Sequence, residues 1–258
     1  LFRSKSRELL NMALKEAVVQ GYIPYNPVQS TKPYKRPTVK IIVLNKEEIR
    51  RFLEYASENN WYLEILLGLF MGLRKGEILG LKFDDFDTIS HTLTISRQIT
   101  ANPLVEKGNG KVLKYRIAEK EPKTDNSYRT LRVPEAILEQ VQERKKEVEE
   151  QKKKLGKDYF DRNYVSCSGN GLPHSTSAFN NALTKLCKRN GFPHLTVHSL
   201  RHMYASILLE QGVPLVKISA LLGHSSIHTT FEFYCETMND EASIRDFMNM
   251  KFVPGGEA

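Results

Sequence analysis

Arginine, histidine and tyrosine residues occur in four short segments whose combined chemistry suits a phosphodiester. Breaking such a bond takes a nucleophile, positive charge beside the non-bridging oxygens and a proton for the leaving oxygen. Arginines suit these oxygens because a guanidinium donates two parallel hydrogen bonds. The segments are GLRKGE at 72–77, HSLRH at 198–202, LLGH at 221–224 and TFEFY at 230–234.

Local signals predict how the segments present these side chains. Arg74 follows a glycine turn at the start of a helix, near backbone N–H groups that favour an anion. His198 and Arg201 are three residues apart, so they share one face of a helix. Gly223 is expected to end a helix and to turn His224 outward. We therefore expect a site assembled from separate helix ends.

Tyr234 can act as a nucleophile only if its neighbours activate it. A free tyrosine has a pKa of about 10, so roughly 0.1% is phenolate at neutral pH. Arg74, Arg201 and an imidazole must therefore lower that pKa or accept the proton. Taken alone, Phe231, Phe233 and Tyr234 would instead be read as the core stripe of a helix.

Hydrophobic spacing predicts a mainly helical chain that carries these segments. Three stretches between residues 92 and 133 alternate β-branched and polar side chains, which predicts a small antiparallel sheet. A further short strand is expected within 162–174. Helices are expected at 4–20, 46–58, 61–71, 75–81, 135–155, 175–190, 197–211 and 214–223, with a last one from about 229.

The charge of the chain favours a polyanionic partner. The 258 residues carry a net charge of +8, and residues 1–51 hold eleven Lys and Arg against four Glu. Basic side chains on a phosphate backbone release counterions, although basic surfaces also serve solubility alone. No apolar run approaches the twenty residues of a membrane helix. Three cysteines without CxxC spacing indicate a reducing cytoplasm, and the first residue, Leu1, suggests a fragment.

The motifs together resemble the catalytic domain of the tyrosine recombinase (phage-type integrase) family, especially integrases of conjugative transposons and integrative elements. The resemblance rests on GLRKGEILGL, PKT…SYRTLRVP, TVHSLRHMYAS, LLGHSS and a tyrosine ten residues further on, in that order within 40–240. It implies a DNA strand-transferase that integrates and excises a mobile element through a 3′-phosphotyrosine. It also implies a reaction without metal, ATP or other cofactor.

The resemblance assigns a role to each residue of the site. Tyr234 would attack the phosphorus, and Lys123 of the PKT motif would protonate the leaving 5′ oxygen. Glu77 would orient its arginine and histidine neighbours without reacting. The side chains that would bind the scissile phosphate are Arg74, Arg201, His198 and His224.

Four parts are expected along the chain, in a fold that is mainly α with a small antiparallel sheet. Pro24 to Pro37 should be an extended linker because four prolines exclude a helix. Lys32, Lys35 and Arg36 are expected to follow a phosphate backbone, and Arg129 to contact DNA as well. The parts are a partial helical core-binding domain at 1–24, the linker at 25–39, the catalytic domain at 40–240 and a tail at 241–258.

The expected partners are double-stranded DNA at attachment sites and further copies of the chain, in a tetramer. Accessory excision or DNA-bending proteins, a bacterial cytoplasm and no membrane contact are expected too. The tail is apolar enough to dock on a neighbouring protomer or on its own domain, and the insertion at 99–123 to contact DNA or protein. Three alternatives stay open: a type IB-like topoisomerase, a DNA-binding module without catalysis, and a nuclease with a metal at His198 and His202.

Overall fold

The computed structural model describes residues 2–32, 42–106, 112–121 and 128–224, with backbone alone for 2–5. The chain divides into two compact units, residues 1–40 and 41–258. The predicted boundaries at 24 and 39 stay predictions. The last predicted helix and the tail lie outside the described residues. No helix within the described ranges is long and apolar enough to cross a bilayer.

The first unit contains one long helix and a short 3-10 helix. Helix α1 spans Phe2–Val19, and the 3-10 helix spans Pro27–Ser30. The prediction that this proline-rich stretch is extended throughout was therefore wrong. Pro27 stands at the start of the turn, where its missing N–H is not needed. The Asn26 side chain caps the turn by accepting from Val28 N at 3.0 Å, and Arg7 Nη2 donates to Val28 O at 3.0 Å.

The second unit is mainly helical, as expected. Helix α2 begins at a capping box in which Asn45 and Glu48 exchange hydrogen bonds of 2.8 and 2.9 Å. The helices of this unit are α2 (Lys46–Ser57), α3 (Tyr62–Phe70), α4 (Lys75–Gly80), α5 (Glu135–Leu155), α6 (Ala178–Arg189), α7 (Val197–Glu210) and α8 (Leu215–Leu222).

Helix α3 lies in the hydrophobic core and packs on α7. Its residues 63–69 are all buried, which explains why all of them except Glu64 are apolar or glycine. Gly68 permits close approach, because a Cβ there would lie 3.0 Å from Leu200 Cδ1 of α7. This packing sets the chain that follows α3, including Arg74, beside the first turns of α7.

The strands form two small antiparallel sheets where one was expected. Strands β1 (Phe86–Asp87), β2 (Thr92–Ile95) and β5 (Arg129–Arg132) form one sheet in the order β1-β2-β5. Strands β3 (Gln98–Val105) and β4 (Val112–Lys120) form a separate hairpin. The chain leaves the first sheet at Arg97, whose guanidinium is held by Asp85.

The strand expected within 162–174 is absent from the structure, which shows two isolated bridges there. Lys82 pairs with Tyr164, and Cys167 with Pro173. The backbone takes positive φ angles at Asn163 (61°) and at Gly171 (84°). Such angles break the extended geometry that a ladder requires. The expectation of a regular strand there was therefore wrong.

Candidate active site

The turn between α3 and α4 places Arg74 at the start of α4. Gly72 has φ +63°, a left-handed conformation in which glycine avoids the strain of a Cβ. Arg74 follows as the N-cap of α4, and its N–H donates to Glu77 Oε2 at 2.8 Å. Its Nη1 donates to Glu77 Oε1, also at 2.8 Å. The Glu77 carboxylate therefore fixes both the backbone and the side chain of Arg74.

The first turns of α7 present His198 and Arg201 on one face, as their spacing predicts. Thr196 caps the helix through reciprocal hydrogen bonds with Ser199, of 3.2 and 3.1 Å. Arg201 is 2% exposed, and its Nη1 donates to Gly72 O at 2.7 Å. The ring of His202 meets that of His198 edge to face, with centroids 4.2 Å apart.

The C-terminal end of α8 gathers three arginines from three different elements. Helix ends leave backbone carbonyls without intrahelical partners and carry a partial negative charge, so cations suit them. Here three successive carbonyls each accept from one guanidinium: Leu221 O from Arg129 Nε at 2.9 Å, Leu222 O from Arg201 Nη2 at 2.7 Å, and Gly223 O from Arg74 Nη2 at 2.6 Å.

Arg129 is a member of this cluster that the sequence reasoning missed. It forms two hydrogen bonds with Glu77, Nη1 to Oε1 at 3.1 Å and Nη2 to Oε2 at 3.0 Å. Its side chain is only 8% exposed. The DNA contact expected for it stays a prediction. The signal was available, because Arg129 alternates with the buried Leu131 and Val133 and therefore shares their inner face.

The charges in the cluster determine how its acids and bases titrate. Burial raises the pKa of Glu77, but the hydrogen bonds and charges of Arg129 and Arg74 outweigh burial and hold that pKa below its usual range. The carboxylate is therefore ionised at neutral pH. Burial and the nearby Arg74 lower the pKa of Arg201, which stays a cation at neutral pH.

The histidines of the site are neutral at neutral pH. Burial and the charge of Arg201 lower the pKa of His224 to about 4. The same two causes lower the pKa of His198, which keeps some exposed surface. Burial and His198 lower the pKa of His202 to about 4. Neutral imidazoles beside cationic arginines can accept a proton or donate a hydrogen bond to an anion.

The position of His224 differs from the prediction that it turns outward. Gly223 ends α8 in the left-handed conformation, and His224 N donates to Ser219 O at 3.1 Å. The side chain is half-buried, and the charges of Arg201 and Arg74 act on it. The structure therefore turns His224 toward the arginines.

Six of the predicted site residues thus lie in one cluster: Arg74, Glu77, Arg129, His198, Arg201 and His224. Lys32 is exposed in the first unit. Lys123, Tyr234, Lys35 and Arg36 lie outside the described residues. Within the part of the chain that the structure describes, no group of three or more His, Cys, Asp or Glu is placed to hold a metal ion. The expectation of a metal-free reaction stays a prediction.

Comparison with protein families identifies the chain. The model of the phage integrase family matches residues 43–241. The chain belongs to this family. The resemblance inferred from the motifs is therefore confirmed.

Curated relatives share this family and differ in length from the chain. A tyrosine recombinase XerC-like protein of Caldanaerobacter subterraneus is 34% identical over 92% of this chain, and the probable integrase of prophage ps2 of Lactococcus lactis is 30% identical over 96%. This chain spans 66% of the length of each.

Solved structures of integrases have the same fold. The Tn1549 transposon integrase, in complex with transposon right end DNA, superposes with a TM-score of 0.71 at 22% identity, covering 96% of this chain and 78% of that one. A lambda integrase dimer bound to a core site gives 0.58 at 18% identity, covering 92% and 60%. The expected fold class, mainly α with a small antiparallel sheet, is confirmed, although the strands form two sheets.

Proposed function

We propose that this chain is the catalytic part of a site-specific DNA recombinase that integrates and excises a mobile element. It cuts and rejoins DNA through a 3′-phosphotyrosine at Tyr234. The observation that carries the proposal is the convergence of Arg74 and Arg201 on the end of α8, with His224 directly after it. A phosphate set among these groups meets two cations and neutral imidazoles.

Each step of the reaction has a residue suited to it. Arg74 and Arg201 bind the non-bridging oxygens, and the side chain of Arg74 is 35% exposed, so an incoming phosphate can reach it. The phenol oxygen of Tyr234 bonds to phosphorus as the P–O5′ bond breaks. His198 takes the phenol proton, and Lys123 gives a proton to the leaving oxygen.

Rejoining follows from the same chemistry in reverse. The phosphotyrosine keeps the phosphoester linkage, so no ATP is consumed when a 5′-hydroxyl attacks it. Because the incoming hydroxyl can come from a second duplex, strands can be exchanged. The arginine charges also favour the phenolate form of the nucleophile, since a nearby cation lowers the pKa of a phenol.

The partners follow from this reaction. The recombinase binds double-stranded DNA at attachment sites, as a tetramer in the bacterial cytoplasm, with accessory excision or DNA-bending proteins. Residues 241–258 dock on a neighbouring protomer or on their own domain. Lys32, Lys35 and Arg36 follow the phosphate backbone, and each phosphate they neutralise adds about 0.9 to the salt slope of binding.

The deciding experiment traps the covalent intermediate. The substrates are nicked suicide duplexes that carry candidate attachment sites. After cleavage, the short strand that bears the 5′-hydroxyl dissociates and rejoining cannot occur. The protein–DNA adduct therefore accumulates and is seen on a denaturing gel. We expect an adduct with the wild-type chain and none with Tyr234→Phe. The matched control is Tyr115→Phe, which removes the hydroxyl of a tyrosine that is 65% exposed on β4 and should react normally.

The same gel separates the alternatives. An adduct that survives Tyr234→Phe refutes the assigned nucleophile, and cleavage lost in EDTA indicates a metal-dependent nuclease. Relaxation of supercoils without transfer between two duplexes indicates a topoisomerase. Binding without any adduct indicates a module that lacks catalysis. Undiminished cleavage by the double variant of Arg201→Ala with His224→Ala contradicts the phosphate site.

A further inference from the structure

Arg129 connects two parts of the candidate site through one rigid group. Its Nε donates to Leu221 O at the end of α8, and its two terminal nitrogens donate to the two oxygens of Glu77 on α4. A guanidinium is planar, so these three bonds fix the distance and the angle between its partners. Lysine has a single nitrogen on a flexible stem and cannot replace this geometry.

Through Glu77 the connection reaches Arg74. Both Glu77 oxygens are shared, because Oε1 accepts from Arg74 Nη1 and Oε2 accepts from Arg74 N. The Glu77 side chain is 5% exposed, so water cannot replace a lost partner easily. Arg129 therefore fixes the orientation of the Glu77 carboxylate, and that carboxylate in turn fixes the orientation of the Arg74 side chain.

Through Leu221 the connection reaches His224. Only two residues separate them, and the turn at Gly223 is tied back to α8 by Gly223 N to Ala220 O at 3.0 Å and His224 N to Ser219 O at 3.1 Å. A shift of the end of α8 would therefore carry His224 with it. The same shift would move the carbonyl acceptors of Arg74 and Arg201.

We propose that Arg129 is a positioning residue of this site, which acts through Glu77 and the end of α8 to hold Arg74 and His224 where a phosphate can meet both. The inference rests on the proposed function. This role differs from a DNA contact. Loss of a contact would weaken the affinity for DNA, whereas loss of a positioning residue lowers the rate of cleavage within the bound complex.

The test compares Arg129→Gln with Arg132→Gln in single-turnover cleavage of the suicide duplex by enzyme in excess. Arg132 lies on the same strand, is exposed, and donates to Ser90 O at 2.7 Å, so it is a matched control. We expect Arg129→Gln to slow cleavage of bound DNA by about 10- to 100-fold, because displacement of reacting groups by about 1 Å has effects of this size. Arg132→Gln should cleave at the wild-type rate.

Binding measurements separate positioning from a phosphate contact. The Kd for the duplex and its dependence on salt should be the same for Arg129→Gln and wild type. A lost phosphate contact would instead lower the salt slope by about 0.9. A reduced slope together with wild-type cleavage of bound DNA would overturn the inference.

A pH profile distinguishes positioning from a merely structural effect. The charged groups that act on Glu77 are Arg74, Arg129 and Arg201. Loss of the Arg129 hydrogen bond and charge leaves mainly Arg74 to oppose the effect of burial, so the pKa of Glu77 should be higher than in wild type. Cleavage by Arg129→Gln should therefore fall on the acid side at a higher pH than in wild type. The double variant with Glu77→Gln should lack this acid limb, and its loss of rate should be smaller than the product of the two single losses.

Every outcome decides the inference. If thermal melting shows that Arg129→Gln is unfolded, Arg129→Lys takes its place, and wild-type cleavage by Arg129→Lys refutes positioning. A rate that falls equally at every pH leaves Arg129 a structural role only. A wild-type chain that forms no adduct refutes the proposed function itself, whereas a reactive wild type with an equally reactive Arg129→Gln refutes this inference alone.

Discussion

Gly72→Ala tests how the turn before Arg74 is built. The φ angle of +63° disfavours any residue with a Cβ, at about 1–2 kcal/mol. A Cβ there would also lie 2.8 Å from Tyr204 Cε1 and 2.9 Å from Leu222 Cδ2. Both neighbours belong to packed helices, so we add the roughly 1–3 kcal/mol typical of overpacking. The free energy of unfolding should fall by about 2–5 kcal/mol.

Gly191→Ala is the matched control. Its φ is +72°, and nothing lies within 4 Å of an added Cβ, so only the conformational strain of about 1–2 kcal/mol applies. The difference between the two variants therefore isolates the steric contacts at Gly72.

Urea unfolding followed by tryptophan fluorescence measures both variants. Trp61 is the single tryptophan of the sequence and stacks on Phe179 in the second unit, with centroids 5.2 Å apart. With an m-value of about 2–3 kcal/mol per M, the midpoint of Gly72→Ala should fall by roughly 1–2 M. Equal midpoints for Gly72→Ala and Gly191→Ala would refute the geometry of the turn.

Two further predictions concern stability. Arg144→Gln should lower the free energy of unfolding by about 3–5 kcal/mol, because it leaves Glu64, 1% exposed, without its 2.9 Å ion pair. The control is Glu147→Gln, which removes the exposed partner of Arg144 and should change the free energy of unfolding by under about 1 kcal/mol. Urea unfolding measures both variants, and equal effects would contradict the difference in burial. The pKa of His202 is depressed from 6.5 to about 4, so the unfolded chain binds more protons between these values and stability falls as pH drops from 6.5 to 4. Melts across this range should show a shallower fall for His202→Gln than for wild type, with His194→Gln, at an exposed site, as the control.

Local signals predicted those parts of the fold that local interactions determine. The capping box of Asn45 and Glu48 lies within one turn of helix, so four residues of sequence suffice to recognise it. The spacing of His198 and Arg201 likewise follows from helical geometry. The motifs, in their order, also led to the correct family.

Long-range contacts account for what the sequence did not predict. The convergence of arginines on α8 joins Arg74 to Gly223 and Arg129 to Leu221, which are 149 and 92 residues apart. No periodicity within a segment encodes such contacts. The hairpin likewise forms a sheet of its own, and Arg97, which lies between β2 and β3, pairs with Asp85 in a preceding turn.

The end of α8 also determines when the arginine cluster can first exist. Ribosomes add about 5–20 residues per second, so the carbonyl that Arg74 binds, 149 residues later, is made about 7–30 s after Arg74 itself. A nascent chain that has passed residue 201 but has not reached residue 223 contains Arg74, Arg129 and Arg201 but lacks the complete helix end whose carbonyls bind them. The cluster therefore cannot form during synthesis until residue 223 has been added.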